Sequence, residues 1–454
     1  MNNDETKRPS VFLAFLGTTD YRELEYSSYE GEPGQPSAVS TRFIQLARLK
    51  ALKARGIEPR DSFILVTEGD GGSRKRNWLD DGHGPESRRG LMNSLTDEGL
   101  TATPVPVPLG TAEEEYWKIF DLVANLVPEN ADVYVDLTHG FRTLPTLMML
   151  ALEYVEKVKG ATILEVTYGA DRPGSDALAP TWNLQPFLVI RDWADAAEIF
   201  IRYGDTRRLA ALAKVPTVEL KRKLRADMPR GLEGLHKGLE QFGETIAKCH
   251  SPSVASRSIK LRELLQEAAR DCKEHDRMKP LGHILGRVAE ELELFPPEIN
   301  NLFDELRAQS AAAKWCLRHG LAIQGLTFLR EAMVGVLETM DFQHSEADIA
   351  LGLLTALAKN PEAEHTLAPR VKALRVNPPV KPELWLQFEK VIDPLTQLRN
   401  KFNHAYKGHS ELRPISAGDL EKRAEGYCET LDLMIDSLSK KNGLGDKIET
   451  TLSL

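Results

Sequence analysis

The hydrophobic pattern of this chain changes period once, close to residue 190, and that change constrains the fold more than any other feature. From residue 10 to about 190, short apolar runs alternate with stretches whose apolar residues recur every three or four positions. The runs are Val11–Leu16, Phe63–Thr67, Val105–Val107, Val133–Leu137, Ile163–Tyr168 and Leu184–Ile190; the helix-like stretches lie around 38–55, 112–127 and 143–158. Near-continuous apolar strands separated by helices predict a parallel sheet covered on both faces, a doubly wound, Rossmann-like α/β domain. After Arg191-Asp192-Trp193 only the helical period remains, over 193–214, 216–248, 256–274, 280–294, 297–319, 321–341, 346–359, 383–406 and 417–440. Pro296-Pro297 and Pro378-Pro379 interrupt it, and no repeat of fixed length suggests a solenoid. The predicted fold class is α/β plus all-α.

At 454 residues the chain is too long for one ordinary core. The expected domains are 1–190, a helical linking region at 191–315, and 316–454. A composition of 42% hydrophobic and 28% charged residues is that of a soluble globular protein. The net charge of −9 argues against broad adhesion to nucleic acid or anionic membrane, and leaves room for RNA held in a local basic pocket. The four cysteines (Cys249, Cys272, Cys316, Cys428) are far apart and the histidines are scattered, so neither a disulfide framework nor a zinc site is expected. The apolar run near the N-terminus is too short for a signal peptide and nothing approaches a membrane span, which makes the cytoplasm the expected compartment.

In a doubly wound sheet, ligands bind beyond the carboxyl ends of the strands. The first strand runs into Gly17-Thr18-Thr19-Asp20-Tyr21, small and hydroxyl-rich, with backbone N–H groups suited to phosphate. The fourth runs into Asp136-Leu137-Thr138-His139-Gly140-Phe141-Arg142-Thr143-Leu144-Pro145. There Gly140 permits a tight turn, Arg142 can fork onto phosphate or base, and Thr143 with Pro145 suits a helix start. The residue types alone leave two readings open, a ligand site or loops that tie themselves together. No Gly-x-Gly-x-x-Gly or Walker loop is present, which weighs against a dinucleotide or ATP. The glycine-rich stretch 69–90 reads as a long, mobile loop.

The two segments together, VFLAFLGTTDY and VDLTHGFRTLP, resemble the CARF sensor domain of CRISPR ancillary proteins, in the branch marked by Asp-x-Thr-His-Gly-x-Arg-x-x-Pro. The resemblance implies binding of a cyclic oligoadenylate, cyclic tetra-adenylate being the expected ring. Gly17, Thr18, Thr19 and Tyr21 would form one wall, and Asp136, Thr138, His139, Gly140, Arg142 and Thr143 the other. A two-fold symmetric ring fits a two-fold dimer presenting the same loops twice, so a homodimer or higher oligomer is expected.

In the helical half, residues 393–408 carry the strongest chemical signal. Asp393 suits an N-cap, Pro394 a first helical residue and Gly408 a stop, predicting a helix over 394–407. Leu395, Leu398, Phe402 and Ala405 form its apolar stripe; Arg399, Asn400, Asn403, His404 and Tyr406 flank it. RNA cleavage without metal needs a base for the 2′-hydroxyl, an acid for the leaving 5′-oxygen, and positive charge at phosphorus. Histidine titrates in the right range and arginine forks onto phosphate, although a polar flank can also hold a histidine by chance. Arg399-Asn400-x-x-x-His404 resembles the HEPN ribonuclease motif, and Gln324–Glu331 resembles that domain's opening helix. By that resemblance Arg399, Asn400 and His404 are catalytic. No cluster with metal-ligand spacing accompanies them, so no metal or cofactor is expected.

The whole reading is a metal-independent endoribonuclease of type III CRISPR defence that cuts single-stranded RNA when a cyclic oligoadenylate binds. Two alternatives stay open, a non-catalytic regulator and an enzyme that degrades the cyclic nucleotide itself.

Overall fold

The computed structural model describes residues 8–27, 38–68, 71–80, 88–140, 143–170, 178–214, 230–362, 364–403 and 416–443. The contacts divide the chain between Val189 and Ile190 into two compact units.

The first unit holds an eight-stranded sheet. In chain order its strands are β1 (Ser10–Leu16), β2 (Leu24–Ser27), β3 (Val39–Thr41), β4 (Asp61–Thr67), β5 (Thr103–Val107), β6 (Asp132–Asp136), β7 (Thr162–Gly169) and β8 (Leu178–Asn183). Their spatial order is β3-β2-β8-β7-β6-β1-β4-β5. The five strands from β7 to β5 are parallel, as their apolar runs predict, while β7 with β8 and β2 with β3 are antiparallel. The sheet is therefore mixed at one side, where short polar strands carry little apolar signal.

Because side chains alternate along a strand, β1 serves two cores. Leu13 and Phe15 pack with α3 (Glu113–Leu126) and α4 (Thr143–Lys159). Phe12, Ala14 and Leu16 pack with α1 (Ile44–Ala54), α2 (Leu91–Asp97) and Trp78. β1 pairs with β4 on one side and β6 on the other. Strand order reverses there, and the loops after β1 and β6 open at this switch point.

One expected strand is wrong. Leu184–Ile190 does not form a strand: β8 ends at Asn183 and α5 covers Gln185–Tyr203. Asn183 Oδ1 accepts from the Gln185 N–H at 2.9 Å, and Leu188, Val189, Trp193, Ala196, Ala197 and Phe200 form a buried stripe at helical spacing. A short apolar run is ambiguous between the two structures, and here it belongs to the helix.

From Ile190 onward the described residues are helical: α6 (Arg207–Ala213), α7 (Leu235–Ala247), α8 (Ser251–Lys273), α9 (Lys279–Glu290), α10 (Leu302–Arg318), α11 (Ala322–Glu338), α12 (His344–Lys359), α13 (Ala368–Val376), α14 (Pro382–Asn403) and α15 (Ala417–Lys441). The breaks at Pro296-Pro297 and Pro378-Pro379 fall between helices, and Asn301 caps α10 through bonds from Phe303 N and Asp304 N. Trp315 is the aromatic hub of this unit, within 5.9 Å of Phe200 and 5.3 Å of Phe242 by ring centroids. α10 runs across the expected 315/316 border, and contacts group the described helices into one unit.

Candidate functional site

β1 and β6 lie side by side, so the loops that follow them meet. Gly17, Thr18, Thr19, Tyr21, Thr138, His139 and Gly140 line one cavity of about 150 Å³, floored by Phe15, Leu16, Leu65 and Leu144, with Thr67 at its edge. The Tyr21 hydroxyl accepts from the Gly17 N–H at 2.6 Å, and the Tyr21 ring stacks on the His139 ring. Burial pushes the Tyr21 hydroxyl pKa up and lowers that of His139 to about 4, so both stay neutral near pH 7. His139 Nε2 is shielded and has no hydrogen-bond partner among the described residues.

Gly140 has φ +118°, a conformation that favours glycine, and a Cβ there would press on Phe15 and Leu144. This agrees with the tight turn read from the sequence. Asp136 does not reach the cavity. It is fully buried, and its carboxylate accepts from Thr138 N (3.1 Å), Thr138 Oγ1 (3.1 Å) and Thr167 Oγ1 (2.8 Å). Burial raises its pKa to about 6 despite these bonds. Thr138 Oγ1 in turn accepts from Gly169 N at 2.7 Å. Asp136 is thus the strut beneath Thr138 rather than a wall residue. Thr143, the first residue of α4, is exposed and outside the lining. Arg142 and Phe141 lie outside the described residues.

Residues 69–70 and 81–87 of the stretch 69–90 lie outside the described residues, and the part between them is not a free loop. Arg74–Trp78 forms a π-turn in which Asn77 and Trp78 are buried, as is Ser73 just before it. Ser73 and Thr67 exchange bonds, Ser73 N to Thr67 Oγ1 at 2.8 Å and Thr67 N to Ser73 Oγ at 2.9 Å. Asn77 bonds the loop after β1. Polar composition hid this segment, and the only signal for it was Trp78, an aromatic among charges.

In the helical unit, the expected helix start at Asp393-Pro394 is wrong. α14 begins at Pro382 and passes through Pro394. Trp385, Phe388, Ile392, Leu395 and Leu398 form one buried stripe across that proline, and packing on this stripe outweighs the missing N–H. The Asp393 carboxylate instead accepts from Lys359 (2.8 Å) and Gln397 (2.9 Å). Arg399 is half-buried, its Nε without a partner among the described residues, and Asn400 is exposed. α11 packs on α14. Burial raises the pKa of the Cys249 thiol, and nearby Thr327 of α11 and Arg399 of α14 act against that rise. The helix that carries Arg399 and the one that carries Gln324–Glu331 therefore pack together, with Cys249 near both, a cysteine that sequence reading did not single out. His404 lies outside the described residues. Among the described residues no cluster of His, Cys, Asp and Glu could hold a metal ion, and no helix is long and apolar enough to cross a membrane.

No protein-family model matches the chain. A curated relative, the CRISPR-associated protein MJ1674 of Methanocaldococcus jannaschii, is 30% identical over 122 residues, 26% of this chain. The match spans 19% of that relative's length. Among solved structures, Enterococcus italicus Csm6 bound to cyclic hexa-2′-fluoro-hexa-dAMP aligns over 95% of both chains at 12% identity and a TM-score of 0.46, a superposition too loose to transfer residue roles. The chain is similar in sequence to a CRISPR-associated protein, and its α/β unit followed by a helical unit has the order that the CARF–HEPN resemblance implies.

Proposed function

We propose that this chain is a cyclic-oligoadenylate-activated, metal-independent endoribonuclease of CRISPR defence. The observation that carries the reading is the meeting of both motif loops on one cavity at the strand switch point, joined by the Tyr21–His139 stack. The name of the curated relative supports the CRISPR context. In this reading the α/β unit, residues 1–189, senses the ring, and the helical unit that follows it cuts.

The cavity of about 150 Å³ holds part of a ring. A second copy of the chain, related by a two-fold axis, supplies the same loops to the other half, and cyclic tetra-adenylate has the matching symmetry. Arg399 forks onto the scissile phosphate, Asn400 orients it, and His404 moves the proton between the 2′-hydroxyl and the 5′-oxygen. The 2′-oxygen bonds to phosphorus as the 5′-oxygen leaves, giving a 2′,3′-cyclic phosphate and a 5′-hydroxyl. The substrate is single-stranded RNA, met in the cytoplasm.

The test is cleavage of end-labelled RNA in excess EDTA, with and without cyclic tri-, tetra- and hexa-adenylate. Cleavage with the tetra-adenylate alone is the expected result. No cleavage with any ring, or cleavage only after magnesium or manganese is added, contradicts the proposal.

A further inference from the structure

Asn77 sits in the π-turn Arg74–Trp78 with 1% of its surface exposed. Its Nδ2 donates to Gly17 O at 2.8 Å and to Thr19 O at 3.0 Å, two carbonyls of the loop after β1. Two acceptors on the same side fix which end of the amide faces the loop. The turn that carries Asn77 is itself anchored to the end of β4 by the reciprocal Ser73–Thr67 bonds.

In a trans peptide the carbonyl and the following N–H point in opposite directions, and no described peptide is cis. With Gly17 O and Thr19 O turned toward Asn77, the N–H groups of Thr18 and Asp20 point away from it. Neither N–H has a hydrogen-bond partner among the described residues. Gly17, Thr18 and Thr19 line the cavity; Asp20 and Asn77 do not. Another amide of this loop, Gly17 N–H, is already taken by the Tyr21 hydroxyl.

We infer that Asn77 is a positioning residue of the ligand site: it holds the Gly17 and Thr19 carbonyls toward itself and so leaves the amide of Thr18, which lines the cavity, free to donate to a phosphodiester oxygen. A carbonyl oxygen facing the cavity would repel that anion, whereas a free N–H group attracts it. Glycine at 17 widens the rotations open to the loop, and the two Asn77 bonds, with the Tyr21 hydroxyl on Gly17 N–H and Arg76 on Thr18 O, select one of them. The inference rests on the proposal that the cavity takes a cyclic oligoadenylate.

The experiment is calorimetric titration of the full chain with cyclic tetra-adenylate and, separately, with adenosine, which has no phosphate. Asn77→Asp keeps the shape, removes both donors and sets a carboxylate against two carbonyls. Its affinity for tetra-adenylate is expected to fall about tenfold or more, with adenosine changed less than about twofold. Asn77→Ser keeps one donor and gives the same test with a smaller loss should Asn77→Asp not fold. Wild-type tetra-adenylate affinity in a folded variant overturns the inference, and so does an equal loss for both ligands, the mark of general support for the fold. Failure of the unaltered chain to bind any cyclic oligoadenylate overturns instead the reading of the cavity on which the inference stands.

Discussion

The Tyr21 and His139 rings lie face to face, 4.1 Å between centroids and 27° between planes, so one contact locks the loop after β1 to the loop after β6. The same tyrosine holds the Gly17 N–H through its hydroxyl. A Cβ on residue 17 would sit 2.5 Å from that oxygen. Gly17→Ala is therefore expected to push Tyr21 off its place and cut cyclic tetra-adenylate affinity about tenfold. Tyr21→Phe keeps the stack and loses one hydrogen bond, at a cost of about 1 kcal/mol in a denaturant melt. Titration calorimetry and melts of both variants check the order of these effects; a harmless Gly17→Ala would show that the stack does not shape the site.

Burial keeps His139 neutral, with its pKa lowered to about 4. A histidine depressed in the folded state stabilises the fold above its ordinary pKa, and that stability is lost as pH falls below about 6.5. Activator affinity should thus be level between pH 7 and 9, and His139→Phe should retain it by keeping the stack. An affinity that changes steeply with pH over this range, and no longer does so in His139→Phe, would show a titrating imidazole in the site.

Asp136 has the opposite sign to most carboxylates. Its pKa is raised to about 6 by burial, so the stability it contributes is complete below pH 4 and is lost as pH rises through 6. Glu165 behaves differently: burial pushes it up, but Arg48 and Arg55 more than offset this and hold it low. Comparing wild type with Asp136→Asn isolates the one group. The stability difference, wild type minus variant, is expected to shrink between pH 4 and 6.5 by at most about 3 kcal/mol. A difference that grows over that range would mean the carboxylate is ionised at low pH in the folded chain.

Much of the α/β unit was legible because β1, β4, β6 and β7 are apolar runs buried on both faces, a pattern that few other structures produce. The cavity followed, since adjacency of β1 and β6 brings Gly17–Tyr21 to Thr138–Gly140 whatever the details of packing. Asn77 was not legible. Its role depends on a π-turn within a charged, glycine-rich stretch, where periodicity carries no signal. Asp136 looked like a ligand residue because a carboxylate at a strand end is usually exposed, whereas Thr138 and Thr167 draw this one inward. Pro394 read as a helix start because local propensity favours it there, and the long stripe from Trp385 to Leu398 overrode that preference.

The most direct measurement of the central claim is the rate of RNA cleavage by Arg399→Ala and His404→Ala at saturating cyclic tetra-adenylate, with activator binding measured on the same samples. Removing an acid–base group typically costs ~10²–10⁴-fold in rate. Both variants are expected to lose cleavage on that scale while activator affinity stays within about twofold of wild type, because Arg399 and the cavity residues fall in different compact units. Arg399→Lys should restore only part of the rate, since a point charge lacks the guanidinium fork. Cleavage at the wild-type rate by a folded His404→Ala chain with activator bound would contradict the account.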